Sequence, residues 1–277
     1  MSKVLAIVLN YNSAEDTKKC VSYLKKQSDL EICVIDNCST EGTAELEEYA
    51  KDNQILFIAN KENKGFSAGN NVGLRKASEL GFEYALIINP DVEIRDEEYV
   101  TKAIAQMDKD EKIAVLGTDI INKNNQHQNP MRELHFFEEA VWPYIVLRNR
   151  IKKSLPYVKN YKKSSPCEKL SGCCFFMRTD FAKEIGYLDE NVFLYSEEAL
   201  LAAQVKESDS KMYYLSDLAA YHIHVDQDGK KDTSSIKMFF ESRRYFLTKT
   251  KRYGKLGNKL ALKSLKIQEK SLLKKNK

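Results

Sequence analysis

The sequence predicts an α/β fold, a doubly wound and mostly parallel sheet followed by a helical C-terminal extension. Short apolar runs rich in β-branched residues recur at Val4–Leu9, Ile32–Ile35, Ile55–Ala59 and Ala85–Ile88. Continuous runs of this kind suit strands covered on both faces. Helical patterns separate or follow them at Ala14–Lys26, Thr43–Lys51, Ala68–Leu80 and Glu97–Met107, which implies repeated βαβ units. Beyond Asp232 the pattern is helical alone, and from Lys249 it is strongly basic.

Ser13 followed by Asp16 has the form of a capping box opening the first helix. A further strand is expected at Ile113–Gly117. The segment Asn122–Ser165 is irregular, basic and aromatic (Phe136, Phe137, Trp142, Tyr144, Tyr157, Tyr161), and reads as a long insertion or mobile loop containing a helix. Regular structure resumes at Glu168–Arg178, and Ala220–His224 reads as a strand. The expected division is 1–231 for one large domain, with 1–120 and 121–231 as its two halves, and 232–277 for the extension.

With 277 residues, 43% apolar and 30% charged, the chain is an ordinary core-forming protein. Its net charge of +4 is too small to imply nucleic-acid binding. The charge is unevenly spread: Lys251–Lys277 holds ten Lys/Arg against one acid, Glu269. The six cysteines contain no CxxC pair, so reduced thiols in a reducing compartment are expected. The first apolar run is too short for a signal peptide, and no run reaches the length of a membrane span. A cytoplasmic location is expected, with any membrane contact peripheral.

In open α/β sheets, ligands bind beyond the carboxyl ends of the strands. Four apolar runs in succession end in Asn or Asp: Asn10-Tyr11-Asn12, Asp36-Asn37, Asn60 and Asn89-Pro90-Asp91. These residues also favour turns, but four such ends together point to a ligand. The segment Asn60–Gly73 follows, with small residues at Gly65, Ser67, Ala68 and Gly69 where a helix starts. They would let the backbone approach a ligand closely, and helix-start N–H groups favour anions. On spacing alone it is a Gly-rich helix start or a phosphate site. Asp91 either caps the turn after Pro90 or binds a divalent cation together with substrate phosphates. Glu197 and Glu198 open a helix, a common stabilising placement. His222 and His224 lie on one face of a strand and could reach a metal or diphosphate.

The order of these segments resembles that of family 2 glycosyltransferases with the GT-A fold, especially the bacterial rhamnosyltransferase-like branch. The segments are Val8–Asn12, Val34–Thr40, Asn60–Gly73, Ile88–Asp91, Gly172–Arg178, Gly186–Glu190, Phe193–Glu198 and His222. The resemblance implies that Tyr11 and Asp36, within the Asn10-Tyr11-Asn12 and Asp36-Asn37 ends, hold a nucleotide base. It places Asn60, Lys64, Gly65, Phe66, Gly69 and Asn70 around ribose and sugar. Asn89-Pro90-Asp91 stands where the family has its DxD motif, with Asp91 and His222 as the metal ligands for Mg2+ or Mn2+. Glu198 stands at the catalytic base, with Glu197 the adjacent alternative.

The implied reaction is inverting transfer from a nucleoside-diphosphate sugar (UDP- or dTDP-linked) to a hydroxyl of a glycan or lipid-linked acceptor. Bacterial cell-surface polysaccharide synthesis is the implied setting, and hexosyl or rhamnosyl transfer the implied activity. Three departures fall on the acceptor side. Glu198 replaces the usual Asp, Leu200 and Gln204 replace a charged pair, and Asp226-Gln227-Asp228-Gly229 replaces a Gly-Ser pair.

A nucleotidyltransferase would carry a Gly-rich, basic loop after the first strand, where this chain has Asn10-Tyr11-Asn12. A non-catalytic nucleotide-sugar-binding subunit is the third reading. In the tail, Leu256, Leu260, Leu265, Leu272 and Leu273 lie among lysines, several at helical spacing. This predicts a basic amphipathic helix, either docked on an anionic membrane or packed on the domain.

Overall fold

The computed structural model describes residues 3–141, 160–223 and 233–275. Strands β1 (Val4–Asn10), β2 (Leu30–Asp36), β3 (Leu56–Ala59) and β4 (Tyr84–Ile88) form a parallel block in the order β3-β2-β1-β4. Helices α1 (Ala14–Leu24), α2 (Thr43–Asp52) and α3 (Phe66–Leu80) connect them. Successive residues of a strand point to opposite faces, and here both faces are apolar. Val4, Ala6 and Val8 enter one core with Leu86, Tyr99 and Met107. Leu5 and Ile7 enter the other with Leu74, Ala77 and Phe181. That double burial is why the runs read as uninterrupted apolar sequence.

The sheet continues through β8 (Cys174–Arg178), β6 (Ile113–Asn122), β9 (Lys211–His222) and β5 (Val92–Glu93), with β7 (Ser165–Cys167) on β9. β8, β5 and β7 run against the other six strands, so the sheet is mostly parallel, as expected. The remaining helices are α4 (Tyr99–Asp108), α5 (Phe136–Ala140), α6 (Thr179–Glu184), α7 (Glu197–Glu207), α8 (Thr233–Thr250) and α9 (Gly254–Lys275). The loop helix expected within Asn122–Ser165 is α5. Trp142, Tyr144, Tyr157, His224 and the Asp226–Gly229 departure lie outside the described residues.

Some local expectations differ from the structure. β6 extends five residues past Gly117, because its polar residues find partners inside: Thr118 Oγ1 meets Tyr99 Oη at 2.7 Å, and Asp119 meets His127 Nδ1 at 2.8 Å. The capping box at Ser13 does not form. The Ser13 hydroxyl donates to Asn10 Oδ1 at 3.0 Å, so the β1 end, rather than the helix, receives it. Among the described residues all six cysteines are free thiols.

The C-terminal helices are bound to the domain by a third core. Ile236, Phe240, Phe246, Leu247, Ala261 and Leu265 pack on Val192, Ala199 and Leu200. This explains the departure at Leu200, which serves that core. At Gln204, the side-chain amide donates to the carbonyls of Ile185 and Tyr187. A buried ionic network reinforces the junction. Arg243 on α8 grips Glu139 on α5 through two hydrogen bonds of 2.6 Å and reaches Glu133 at 3.2 Å, while Lys169 donates to Glu133 at 2.5 Å. Burial alone would raise the Glu133 pKa, but Lys169 and Arg243 hold it below the ordinary glutamate range.

Removing one partner from a buried pair leaves an uncompensated charge, at a cost of about 3–5 kcal/mol. Arg243→Ala is therefore expected to lower Tm by on the order of 10 °C. The half-exposed Arg244–Glu269 pair is the comparator, and Arg244→Ala should shift Tm by about 2 °C or less. Equal shifts, read by differential scanning calorimetry, would show that the junction does not depend on the network.

Candidate functional site

The parallel register aligns the polar strand ends. Asn10 pairs with Asp36 across β1 and β2, and Asp36 with Ala59 on β3. The Asn10 amide donates to Asp36 Oδ1 at 2.7 Å and to Ser39 Oγ at 3.1 Å, while its oxygen accepts from Ser13 and Thr17. Asp36 also accepts from the Ser39 N–H and hydroxyl and from Thr43 Oγ1. Both side chains are buried and fully engaged inside the protein, so they shape the site floor. Tyr11 and Asn12 stand exposed above it. Asn12 lies at φ 52° and accepts from the Thr40 N–H at 2.8 Å. That bond bridges the loops after β1 and β2.

Beside them is an amide ladder. Asn60 donates to Asn37 at 3.0 Å, Asn37 to Asn63 at 2.9 Å, and Asn63 accepts from the Gly65 N–H. The ladder fixes the loop entering α3. The small residues of this loop make room for the protein itself. A Cβ on Gly69 would meet Leu9 Cδ1 at 2.5 Å, and one on Gly65, at φ +96°, would meet the Phe193 carbonyl oxygen at 2.1 Å. Both glycines admit other parts of the chain, and the Phe66 N–H donates to that same carbonyl at 2.9 Å. Lys64 pairs with Glu62 at 2.6 Å in solvent. Asn70 is buried, its amide donating to Phe66 O while its Oδ1 has no partner.

Asn89-Pro90-Asp91 links β4 to β5, and β5 pairs with β9 so that Val92 faces His222. This brings Asp91 Oδ2 to 3.2 Å from His222 Nε2. On its other side, His222 Nδ1 meets Gln128 Oε1 at 3.0 Å. With Nδ1–H donated to Gln128, Nε2 faces the carboxylate, as a donor where the ring is protonated and as a lone pair where it is neutral. Two acceptors at that distance repel unless a proton or a cation lies against both. Their spacing suits neighbouring positions on an octahedral ion with bonds of about 2.1 Å, and an imidazole–carboxylate set suits Mn2+ as well as Mg2+. Among the described residues no group of three His, Cys, Asp or Glu side chains could hold a metal.

A cleft of about 430 Å³ opens from this edge. Asn89, His222, Phe66, and Glu197 and Glu198 at the start of α7 are among the residues that line it. The turn that delivers the two acids places both Tyr195 and Ser196 at positive φ, 73° and 67°. Non-glycine residues in this region store strain, and such strain clusters at functional sites. Glu198 lies against Gly172, whose missing side chain leaves it room. Burial first, and then the adjacent Glu198, push the Glu197 pKa up to about 8. Glu197 is therefore held towards its neutral form at neutral pH.

The sequence reading missed Gln128, which orients His222 from the irregular segment after β6, and Phe239 on α8, which lines the same cleft. The former sits in a run with no periodicity. The latter reads as one more apolar residue of a helix.

Comparison with known proteins follows the same outline. The model of the family described as glycosyl transferase family 2 matches residues 5–186, and the chain belongs to that family. A hexosyltransferase of low-salt glycan biosynthesis, Agl10 of Haloferax volcanii, is 26% identical over 94% of this chain and 80% of its own length. Among solved structures, the mannosyltransferase PcManGT of Pyrobaculum calidifontis, in complex with GDP-Man and Mn2+, aligns with a TM-score of 0.64. It is 16% identical and covers 98% of this chain and 72% of its own. GalNAc-T7 with UDP, GalNAc and Mn2+ aligns with a TM-score of 0.64 at 15% identity, over 89% of this chain and 50% of that one. The fold is that of GT-A glycosyltransferases.

A carboxyl group whose folded pKa is raised binds more protons folded than unfolded, so it costs stability as pH rises above its unfolded value. For Glu197 the window runs from the ordinary value of 4.5 to about 8. Glu197→Gln removes the ionisation. The Tm of the variant minus that of the wild type should therefore grow by on the order of 5 °C between pH 5 and pH 8. A gap independent of pH would mean that Glu197 is not held neutral.

Proposed function

We propose that the chain is an inverting glycosyltransferase that moves a hexosyl or rhamnosyl unit from a UDP- or dTDP-sugar to a hydroxyl of a glycan or lipid-linked acceptor. The observation that carries this reading is one cleft lined by Asn89, His222, Glu197 and Glu198, with Asp91 Oδ2 3.2 Å from His222 Nε2, so that the pair could serve as a two-ligand cation site. A divalent cation held there would offset charge on the leaving diphosphate. Asp91 and His222 would hold it, His222 kept in the required tautomer by Gln128. The Mn2+ and nucleotides bound to PcManGT and GalNAc-T7 support this assignment.

The donor base rests against Tyr11 and Asn12 over the Asn10–Asp36 floor, with Asn60, Lys64, Phe66, Asn70 and Asn89 along the ribose and sugar. Binding of the nucleotide away from the reacting carbon orients that carbon. Glu198 takes the proton of the acceptor hydroxyl as it attacks. Glu197 beside it is held towards its neutral form by burial and by Glu198. No covalent enzyme intermediate is needed, so the anomeric centre inverts. The free thiols support work in a reducing compartment, and bacterial cell-surface polysaccharide synthesis is the proposed setting.

The tail supports peripheral membrane contact. α9 packs inward through Ala261 and Leu265, yet Leu256, Leu260 and Ile267 stay exposed among Lys259, Lys263, Lys266 and Lys270. An apolar stripe flanked by lysines suits an anionic leaflet, where a lipid-linked acceptor would lie. Among the described residues no helix is long and apolar enough to cross a membrane.

Turnover of the correct donor should release a nucleoside diphosphate. Asp91→Ala should abolish that release with the fold intact, and unchanged turnover would remove Asp91 from the site. Glu198→Gln should lower transfer by about 10²-fold or more with donor affinity kept, the scale of a lost general base. If Glu197→Gln alone gives that loss, the two roles are exchanged. Pyrophosphate as the product would instead identify a nucleotidyltransferase.

In sedimentation with phosphatidylglycerol vesicles, wild type should pellet at low salt and release at high salt. A variant with Leu256, Leu260 and Ile267 changed to Ser should stay in solution. Equal pelleting of the two would exclude α9 as the anchor.

A further inference from the structure

The family match ends at residue 186, and part of the cleft wall is built from residues beyond it, among them Tyr195, Glu198 and Phe239. Three observations there converge on one ligand class.

The first is an aromatic pair in the cleft. Tyr195 immediately precedes the Ser196–Glu197–Glu198 turn, and Phe239 comes from α8; both line the same cleft as Asn89, His222 and Glu198. Their rings lie edge to face, with centroids 5.8 Å apart and planes at 72°. Phe239 is braced from behind by Phe240, centroids 5.3 Å apart at 86°, and Phe240 is itself buried in the third core. Phe239 nevertheless remains 41% exposed, with Leu194 beside Tyr195 at 37%. Large apolar side chains held rigidly and left open at the mouth of a cleft mark a binding surface.

The second is the charge of the walls. The two basic side chains among the described lining residues, Lys169 and Arg243, are committed to Glu133 and Glu139. Glu197 and Glu198 face the same space. An anionic ligand would meet carboxylates and find both cations already paired. The third is the tether. Ser242, one turn along α8 from Phe239, donates its hydroxyl to the Leu194 carbonyl at 2.7 Å. The helix that supplies Phe239 thereby also holds the turn that supplies Tyr195 and the two acids.

We propose that Phe239 and Tyr195 form the acceptor platform, taking the flat C–H face of an uncharged sugar ring and presenting one of its hydroxyls to Glu198. The proposal rests on the glycosyl-transfer reading and names the class of acceptor for that site. Phe239 is a specificity-determining residue. It touches the ring rather than the reacting atoms, so its loss acts on acceptor KM before kcat. The carboxylates at the far wall discriminate against acidic rings by repulsion.

The test uses the full-length protein with Mn2+ and p-nitrophenyl glycosides as acceptor probes: glucoside, galactoside and mannoside as neutral rings, and glucuronide as the acidic one. Binding of each is followed by saturation-transfer NMR, and transfer by release of nucleoside diphosphate. For wild type, at least one neutral glycoside should bind and turn over, with saturation strongest on the ring C–H protons, and the glucuronide should do neither. Phe239→Ala, at an exposed position and so compatible with folding, should raise KM for the neutral acceptor by on the order of tenfold, with kcat within about threefold. Phe239→Tyr should restore the wild-type KM.

An unchanged KM in Phe239→Ala overturns the platform, as does a glucuronide that binds as well as the glucoside, or a panel in which no neutral ring binds. If wild type releases no nucleoside diphosphate from any nucleotide sugar, the glycosyl-transfer reading falls and the platform with it. Turnover with an indifferent Phe239→Ala brings down the platform alone.

Discussion

The hydrogen bond from Asn10 to Asp36 is the constraint on which the site depends. It joins the ends of β1 and β2, is fully buried, and has a charged acceptor, which makes it one of the stronger kinds. Around it gather Ser13, Thr17, Ser39 and Thr43, so that two strand ends, two loops and two helix starts share one network. Because every polar atom is satisfied internally, the floor is rigid before any ligand arrives. Preorganisation of that kind lowers the ordering cost of binding. It also explains how exposed Tyr11 and Asn12, on a loop, keep a fixed position.

The other half of the cleft is stabilised differently. β6, β8 and β9 lie behind it, and loops and two C-terminal helices complete its wall. Its rigidity comes from the Arg243–Glu139–Glu133–Lys169 network and the core under Leu200 and Phe240. Gly65 and Phe66 connect the two halves through the Phe193 carbonyl. A donor loop and an acid-bearing turn are thus in backbone contact, a route by which occupancy of one side can be felt at the other.

What was legible in the sequence follows from the range of the interactions involved. The parallel block was legible because burial on both faces writes itself into each strand as an apolar run. The polar strand ends were legible because they sit next to those runs. What the glycines make room for was not legible, for the opposite reason. Gly65 is small on account of Phe193, 128 residues away, and nothing near Gly65 announces that neighbour. Gln128, Phe239 and the ionic partners of Arg243 are likewise set by distant contacts. Leu200 stood out as a departure from the family pattern, and only the core it fills gives the reason. The tail was read as docked on a membrane or packed on the domain. The structure gives α9 an inward apolar side and a second, exposed one.

The central proposal is that Asp91 and His222 would hold a divalent cation together with a nucleoside diphosphate. Calorimetric titration of Mn2+ with and without UDP, dTDP or GDP tests it directly. Mn2+ alone should bind weakly, since two protein ligands are few. One of the nucleotides should tighten it, and Mn2+ should tighten that nucleotide by the same factor, as linkage requires. A Mn2+ affinity that is the same with and without every nucleotide would contradict the account.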